Sequence, residues 1–205
     1  MPDFHLEFEF SGRVAGIDEA GRGPWAGPVV ASAVVLNRPD LLEALRDGLD
    51  DSKKLSAKKR EALFILLKEQ EVAGQIDIGV GQSSVAEIDQ NNILAATMTA
   101  MARAVENLNE RPDVALIDGN RAPPLSCAMQ TVVKGDQISL SIAAASIIAK
   151  VTRDRIMSDL GILHPGFGWS RNAGYGTAEH RAALLQLGVT EHHRRSFKPI
   201  AALLK

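Results

Sequence analysis

Four carboxylates sit at places where carboxylates do chemistry. Asp18 and Glu19 are adjacent at the end of the apolar run "RVAGI". Asp118 closes a second apolar run, "VALI", and Asp136 follows a third, "AMQTVV", just before a long alanine-rich stretch. Neighbours on a regular strand face opposite ways, so Asp18 and Glu19 serve one site only where the strand ends or bends. If the strands run parallel, their C-terminal ends share one edge of the sheet, where sites on open α/β sheets form. Four like charges gathered there repel and raise one another's pKa until something neutralises them. No matching cluster of Lys or Arg lies next to all three strand ends, and His and Cys are few. Hard divalent cations with oxygen ligands, Mg²⁺ or Mn²⁺, meet that need. Two such ions roughly 4 Å apart hold the attacking and leaving oxygens of a phosphoryl transfer. Taken singly, each acid reads better as the cap of a turn or helix. Taken together, they read as a metal site.

A second unusual stretch follows directly. "AGRGPWAGP" places glycines at 21, 23 and 27 around Arg22. The spacing misses the G-x-G-x-x-G dinucleotide pattern, and no phosphate loop of the G-x-x-x-x-G-K-[ST] type occurs. Glycine lets a ligand approach the backbone N–H and C=O closely. A sugar hydroxyl, both donor and acceptor, suits that contact. A plain glycine-rich turn is an equally good reading of this stretch alone.

Positioning these residues requires strands that alternate with helices. Strands are expected over 13–18, 28–36 (closed by "NRPD"), 72–81, 114–118 and 128–133. Helices are expected over 41–49, from Ser56 to about 70, over 84–108 with a second start near Asp89, over 138–158 and over 177–188. Met98 and Met101 lie on an apolar stripe with Leu94 and Val105 and read as core. Residues 161–177 read as a glycine-rich loop and 190–204 as a basic C-terminal segment. The pattern predicts an α/β or α+β sheet with helices on both faces.

The chain's 205 residues fit a single domain, 1–205, with a helical extension from about residue 160. No apolar run reaches the roughly 18 residues of a membrane helix, and the acidic N-terminus is no secretory signal, so a cytoplasmic protein is expected. One cysteine, Cys127, excludes an internal disulfide framework and reads as a small semi-buried residue. The net charge of −2 is unevenly spread. Residues 1–149 hold 14 Lys and Arg against 21 Asp and Glu, whereas residues 150–205 hold 9 against 4. Four acids loaded with two divalent ions leave the protein positive, which is compatible with a nucleic-acid substrate. His192 and His193 are adjacent and cannot share a helical zinc face, so they read as basic surface or packing. Ser146 and Lys150 mimic a Ser-Lys pair but read as helix packing.

The blocks "GIDEAGRGPWAGPVVASAVVL", "DSKKLS", "LIDGN", "VVKGD", "SIAAASIIAKVTRDR", "GYGT" and "TEHHRRSF" occur in order over about residues 13–198. Together they resemble ribonuclease HII, the bacterial type 2 ribonuclease H. That resemblance implies a ribonuclease H-like fold: a five-stranded mixed sheet flanked by helices, with a helical C-terminal part. It implies cleavage of the RNA strand of RNA–DNA hybrids, and nicking of duplex DNA 5′ of a single embedded ribonucleotide to leave 3′-hydroxyl and 5′-phosphate ends. It places the metal ligands on Asp18, Glu19, Asp118 and Asp136, with Mn²⁺ or Mg²⁺ as cofactor. The loop that reads the 2′-hydroxyl falls on Gly21, Arg22 and Gly23. The tyrosine that packs on the next sugar falls on Tyr175, and phosphate contacts fall on Lys53 or Lys54. Trp25 departs from the smaller aliphatic residue expected there. A monomer acting on these duplexes, with no membrane partner, is expected. The alternatives are another ribonuclease H-like phosphoryl transferase acting on DNA, a nucleic-acid-binding module with an idle site, and a small-molecule phosphatase.

Overall fold

The computed structural model describes residues 1–36 and 41–204, so the expected turn "NRPD" lies outside the described residues. Five strands form one sheet: β1 (Val14–Ala20), β2 (Val29–Leu36), β3 (Ile76–Ser83), β4 (Val114–Asp118) and β5 (Ala128–Val132). Their order is β3-β2-β1-β4-β5. β1, β2 and β3 pair antiparallel, while β4 and β5 run parallel to β1. All eight residues of β2, "VVASAVVL", are buried. A strand covered on both faces reads as this kind of unbroken apolar run.

The covers are helices. α1 (His5–Phe8) and α2 (Glu43–Arg46) are single turns, followed by α3 (Ala57–Val72), α4 (Val85–Glu106) and α5 (Leu140–Leu163). α6 (Trp169–Asn172), α7 (Ala178–Leu187) and α8 (Lys198–Ala201) complete the C-terminal part. The longer helices start at hydroxyl caps: the side chains of Ser56, Ser84, Ser139 and Thr177 each accept an N–H of the first turn. α3 and α5 pack on one face of the sheet around Val34, Leu45, Leu67 and Ile147. α4 packs on the other around Ala15, Ile17, Ala33 and Met101. At Gly16 the backbone of β1 meets α5 directly: an added Cβ would lie 2.1 Å from the carbonyl carbon of Ser141. A third cluster joins the end of α5 to Phe167, Trp169, Leu184 and Ile200.

Several boundaries differ from expectation. β1 runs two residues past Asp18, because β2 continues to pair with it as far as Ala20↔Val30. β3 starts at Ile76 rather than 72, since α3 keeps the chain helical to Val72. The break in α4 falls at Asn92, with φ 68° and ψ 163°, rather than near Asp89. Asn92 Oδ1 accepts the N–H groups of Leu94 and Ala95, so Asn92 caps the second segment. Asp89 is used elsewhere: it accepts from the backbones of Arg195 and Ser196 and pins the C-terminal segment. α5 extends to Leu163 and crosses the expected boundary near 160 without a break. α6 lies inside the stretch expected to be loop. Among the described residues, no helix is long and apolar enough to cross a membrane.

Candidate active site

The C-terminal ends of β1, β4 and β5 emerge at one edge of the sheet. The β1–β4 ladder stops at Ile17↔Ile117, so Asp18 and Asp118 follow it in equivalent positions on adjacent strands. Such strands are about 4.8 Å apart. Beyond Ile17, β1 has no partner on its β4 side, and this half-free strand end serves where a bend was expected. Asp118 in turn pairs with Val132, the last residue of β5. Its Oδ1 accepts the N–H of Gly135 at 2.7 Å. Lys134 turns the chain through a left-handed conformation, φ 58°, into the short 3₁₀ turn Gly135–Gln137 that carries Asp136. One hydrogen bond therefore ties the end of β4 to the turn holding the next acid.

The charges interact. Burial pushes the Asp18 carboxyl well above the usual carboxylate range, and the charges of Glu19 and Asp118 push it further. The N–H of Glu19, donated to Asp18 Oδ1 at 2.7 Å, opposes that rise. Glu19 is also raised by burial, although the Arg22 guanidinium 3.2 Å away pulls it down. Asp136 is pushed up to about 6 by burial and then by Asp118 and Asp51. Burial alone would lower Lys53, but Asp18, Asp51, Asp136 and Asp118 outweigh it and hold the ammonium above its usual value. Lys53 thus belongs to the acid cluster. Lys54 does not: it pairs with Asp50 at 3.3 Å. The sequence reading missed Asp51, a buried carboxylate that helps push Asp136 up and accepts the N–H of Lys53 at 2.9 Å. Its signal, an acid two residues before Lys53 in "DDSKK", was hidden in a polar run.

Beside the acids lies the loop of Gly21, Arg22 and Gly23. Gly21 has φ +100°, and a Cβ there would fall 2.0 Å from Arg153 Nε, so only glycine fits. A Cβ on Gly23 would lie 3.4 Å from Cε1 of Tyr175, so the half-exposed tyrosine ring stands against the loop. The Trp25 N–H donates to the Gly174 carbonyl at 2.8 Å and joins the two segments. The Trp25 ring packs on Gly176, where a Cβ would come within 2.2 Å of it, and carries the Arg181 guanidinium at 5.3 Å. An indole in place of a smaller side chain thus braces the tyrosine loop.

The donor set is entirely oxygen, buried at Asp18 and Asp136 and partly exposed at Glu19 and Asp118, and it suits hard divalent cations. A family model described as Ribonuclease HII matches residues 15–200. The chain belongs to the ribonuclease HII family. It is 57% identical over 201 residues to the ribonuclease HII of Paramagnetospirillum magneticum, covering 98% of each chain. Among solved structures it is similar to the ribonuclease H2 of Pyrococcus horikoshii OT3, with TM-score 0.73, 28% identity, and 93% of this chain and 96% of that one covered. The fold also resembles Bst-RNase HIII in complex with Mn²⁺, with TM-score 0.75, 18% identity, and coverage of 95% and 70%.

In this ribonuclease HII family member, two buried arginines hold the glycine loop from behind. Arg194 donates to the carbonyls of Gly21, Arg22, Gly27 and Pro28. Arg153, from α5, donates to those of Ala26, Pro28 and Ala173. Arg153 therefore links the glycine loop to the segment that carries Tyr175. Burial lowers Arg153 to about 10, and burial together with Arg153 lowers Arg194 to about 9, so both stay charged at neutral pH. Of the two expectations for 192–195, basic surface or packing, His193 and Arg194 meet the second: both are fully buried. Ser146 donates to the Ala143 carbonyl and Lys150 pairs with Asp154, so they form no catalytic pair. A cavity of about 750 Å³ lies at the opposite end of the sheet beside Arg13, Val14 and Ile76.

Proposed function

We propose that the chain hydrolyses the RNA strand of RNA–DNA hybrids and nicks duplex DNA 5′ of a single embedded ribonucleotide. The observation that carries this reading is the single electrostatic cluster of Asp18, Glu19, Asp118, Asp136 and Lys53 beside a glycine loop that faces Tyr175. Asp18, Glu19, Asp118 and Asp136 would hold Mg²⁺ or Mn²⁺. Bound there, the ions supply Lewis acidity toward the phosphate and lower the pKa of the attacking water. A water oxygen bonds to phosphorus, and the P–O3′ bond breaks. The 3′ oxygen leaves with the electron pair and takes a proton, giving 3′-hydroxyl and 5′-phosphate ends. Lys53 faces the same cluster and can bind a non-bridging phosphate oxygen. The loop of Gly21, Arg22 and Gly23, whose first two carbonyls Arg194 holds from behind, would meet through its backbone a 2′-hydroxyl, the group that distinguishes RNA from DNA. Tyr175 packs on the sugar that follows. Contacts of this kind fix the duplex without reading bases, so binding falls with salt and varies little with sequence.

The test is incision of a labelled duplex carrying one ribonucleotide, with Mg²⁺, with Mn²⁺ and with chelator, beside an all-DNA control. Metal-dependent nicking confined to the ribonucleotide duplex is the expected result. Equal cutting of the all-DNA control would favour a ribonuclease H-like phosphoryl transferase acting on DNA.

A further inference from the structure

Four of the five histidines gather around Trp169, and they divide into two pairs. His180 and His193 are fully buried and use both ring nitrogens. His180 Nδ1 meets the Tyr175 carbonyl at 2.9 Å, and its Nε2 meets Trp169 Nε1 and His193 Nε2. His193 Nδ1 meets the N–H and hydroxyl of Thr190. These two rings are structural.

His164 and His192 differ. They touch edge-on with ring centroids 4.8 Å apart, and neither ring donates or accepts a hydrogen bond among the described residues. Trp169 lies against both, at 5.6 and 6.1 Å, and limits their orientation. The exposed carboxylate of Glu191 lies beside them, with Oε1 3.8 Å from His192 Nε2. One ligand atom from each of His164, Glu191 and His192 falls within 4.8 Å of the others. Among the described residues, this is the one group of His, Cys, Asp or Glu drawn together so tightly.

We propose that His164, Glu191 and His192 form a site for a borderline transition-metal cation such as Zn²⁺, separate from the carboxylate cluster. Two imidazoles and a carboxylate select such a cation over Mg²⁺. Tetrahedral ligands bound at about 2.0–2.1 Å lie about 3.4 Å apart. The atoms, now within 4.8 Å of one another, must therefore close by at most about 1.4 Å, and the solvent-exposed Glu191 is free to swing inward. Three protein ligands leave the fourth position to water. His164 ends α5, and the other two ligands come from the turn after α7, so the ion would staple the two. The next residues along that turn are His193 and Arg194, and the His192 carbonyl accepts the Gly27 N–H. The staple thus ends at the support of the glycine loop.

The test uses the untagged full chain after chelator treatment. It is titrated with Zn²⁺ by calorimetry and with Co²⁺ by visible absorption. An Asp18→Asn, Asp118→Asn double variant removes ligands of the carboxylate cluster and leaves the proposed site intact. One Zn²⁺ is expected to bind at micromolar concentration in the wild type and in that double variant, raising Tm in both. His164→Ala and His192→Ala should each weaken it by at least about tenfold and abolish the Tm rise. If either alanine variant fails to fold, His164→Gln, His192→Asn and the exposed Glu191→Gln take its place with the same expectation. Unchanged Zn²⁺ affinity in the histidine variants, or loss confined to the double variant, overturns the proposal, as does absence of micromolar binding. None of these readouts uses cleavage, so failure here leaves the proposed activity standing.

Discussion

At the carboxylate edge, Asp18, Glu19, Asp118 and Asp136 press negative charge together, and only Lys53 and Arg22 answer it. Behind the glycine loop, Arg153 and Arg194 bury positive charge more deeply, yet neither forms an ion pair among the described residues. Seven hydrogen bonds to backbone carbonyls surround the two guanidiniums. The difference separates scaffold from site. Dipoles from within the fold complete the arginine cluster, which then fixes a loop. The carboxylate cluster keeps an excess of negative charge, which the proposed cation would answer.

The comparison breaks first at its acidic side. Asp118→Asn should lower metal-dependent incision by roughly a thousandfold, as loss of several kcal/mol of Lewis-acid assistance requires. Its Tm in chelator should not fall, because the change relieves repulsion. Near-wild-type cleavage by this variant would remove Asp118 from the site. On the basic side, Arg194→Met takes the guanidinium from the carbonyls of Gly21, Arg22 and Gly27, while Pro28 keeps Arg153, and should cost about 3 kcal/mol or more in urea unfolding. Arg195→Met, exposed beside it, should stay within about 0.5 kcal/mol. Equal effects at the two positions would show that the buried guanidinium does not hold the loop.

The two regions should also respond to pH with opposite signs. Burial, and then His180, push His193 down to about 4, below its ordinary 6.5. Between those values the unfolded chain binds more protons, so His193 favours folding increasingly as pH rises. Acidifying from pH 7 to 5 should lose about 2 kcal/mol through this group. Asp136 is raised to about 6, so the folded chain binds more protons over pH 4–6 and its contribution falls as pH rises. In chelator, His193→Gln should flatten the rise of stability with pH and Asp136→Asn should steepen it. Shifts of the same sign would contradict the assigned environments. The smallest effect on stability belongs to Tyr175→Ala, within about 0.5 kcal/mol for a half-exposed ring. That variant should nonetheless change the preference between hybrid and single-ribonucleotide substrates, measured as a ratio of incision rates.

The strands, and the positions of Asp18, Glu19, Asp118 and Asp136, were legible because the acids end or closely follow runs of β-branched or apolar residues. Asp51 was not, because "DDSKK" has no apolar contrast to mark which side chain turns inward. Lys53 and Lys54, and likewise Arg194 and Arg195, are identical neighbours in sequence. Only tertiary packing decides which member faces the acids or the loop. Asn92 escaped notice because its break depends on a left-handed backbone and a cap formed by its own side chain. The role of Glu7 was equally silent: its carboxylate accepts from Ser139 and Ser141, more than a hundred residues away.

α5 is one unbroken rod from Leu140 to Leu163. It begins just after the turn of Asp136, presents Arg153 under Gly21, and ends at His164. It works as a ruler that sets the carboxylate edge and the glycine loop in phase. A single residue inserted between Ile148 and Val151 would turn Arg153 by about 100° and advance it by about 1.5 Å. The guanidinium would swing away from the loop while the acid edge stayed where it is, leaving each part whole and the two mistimed.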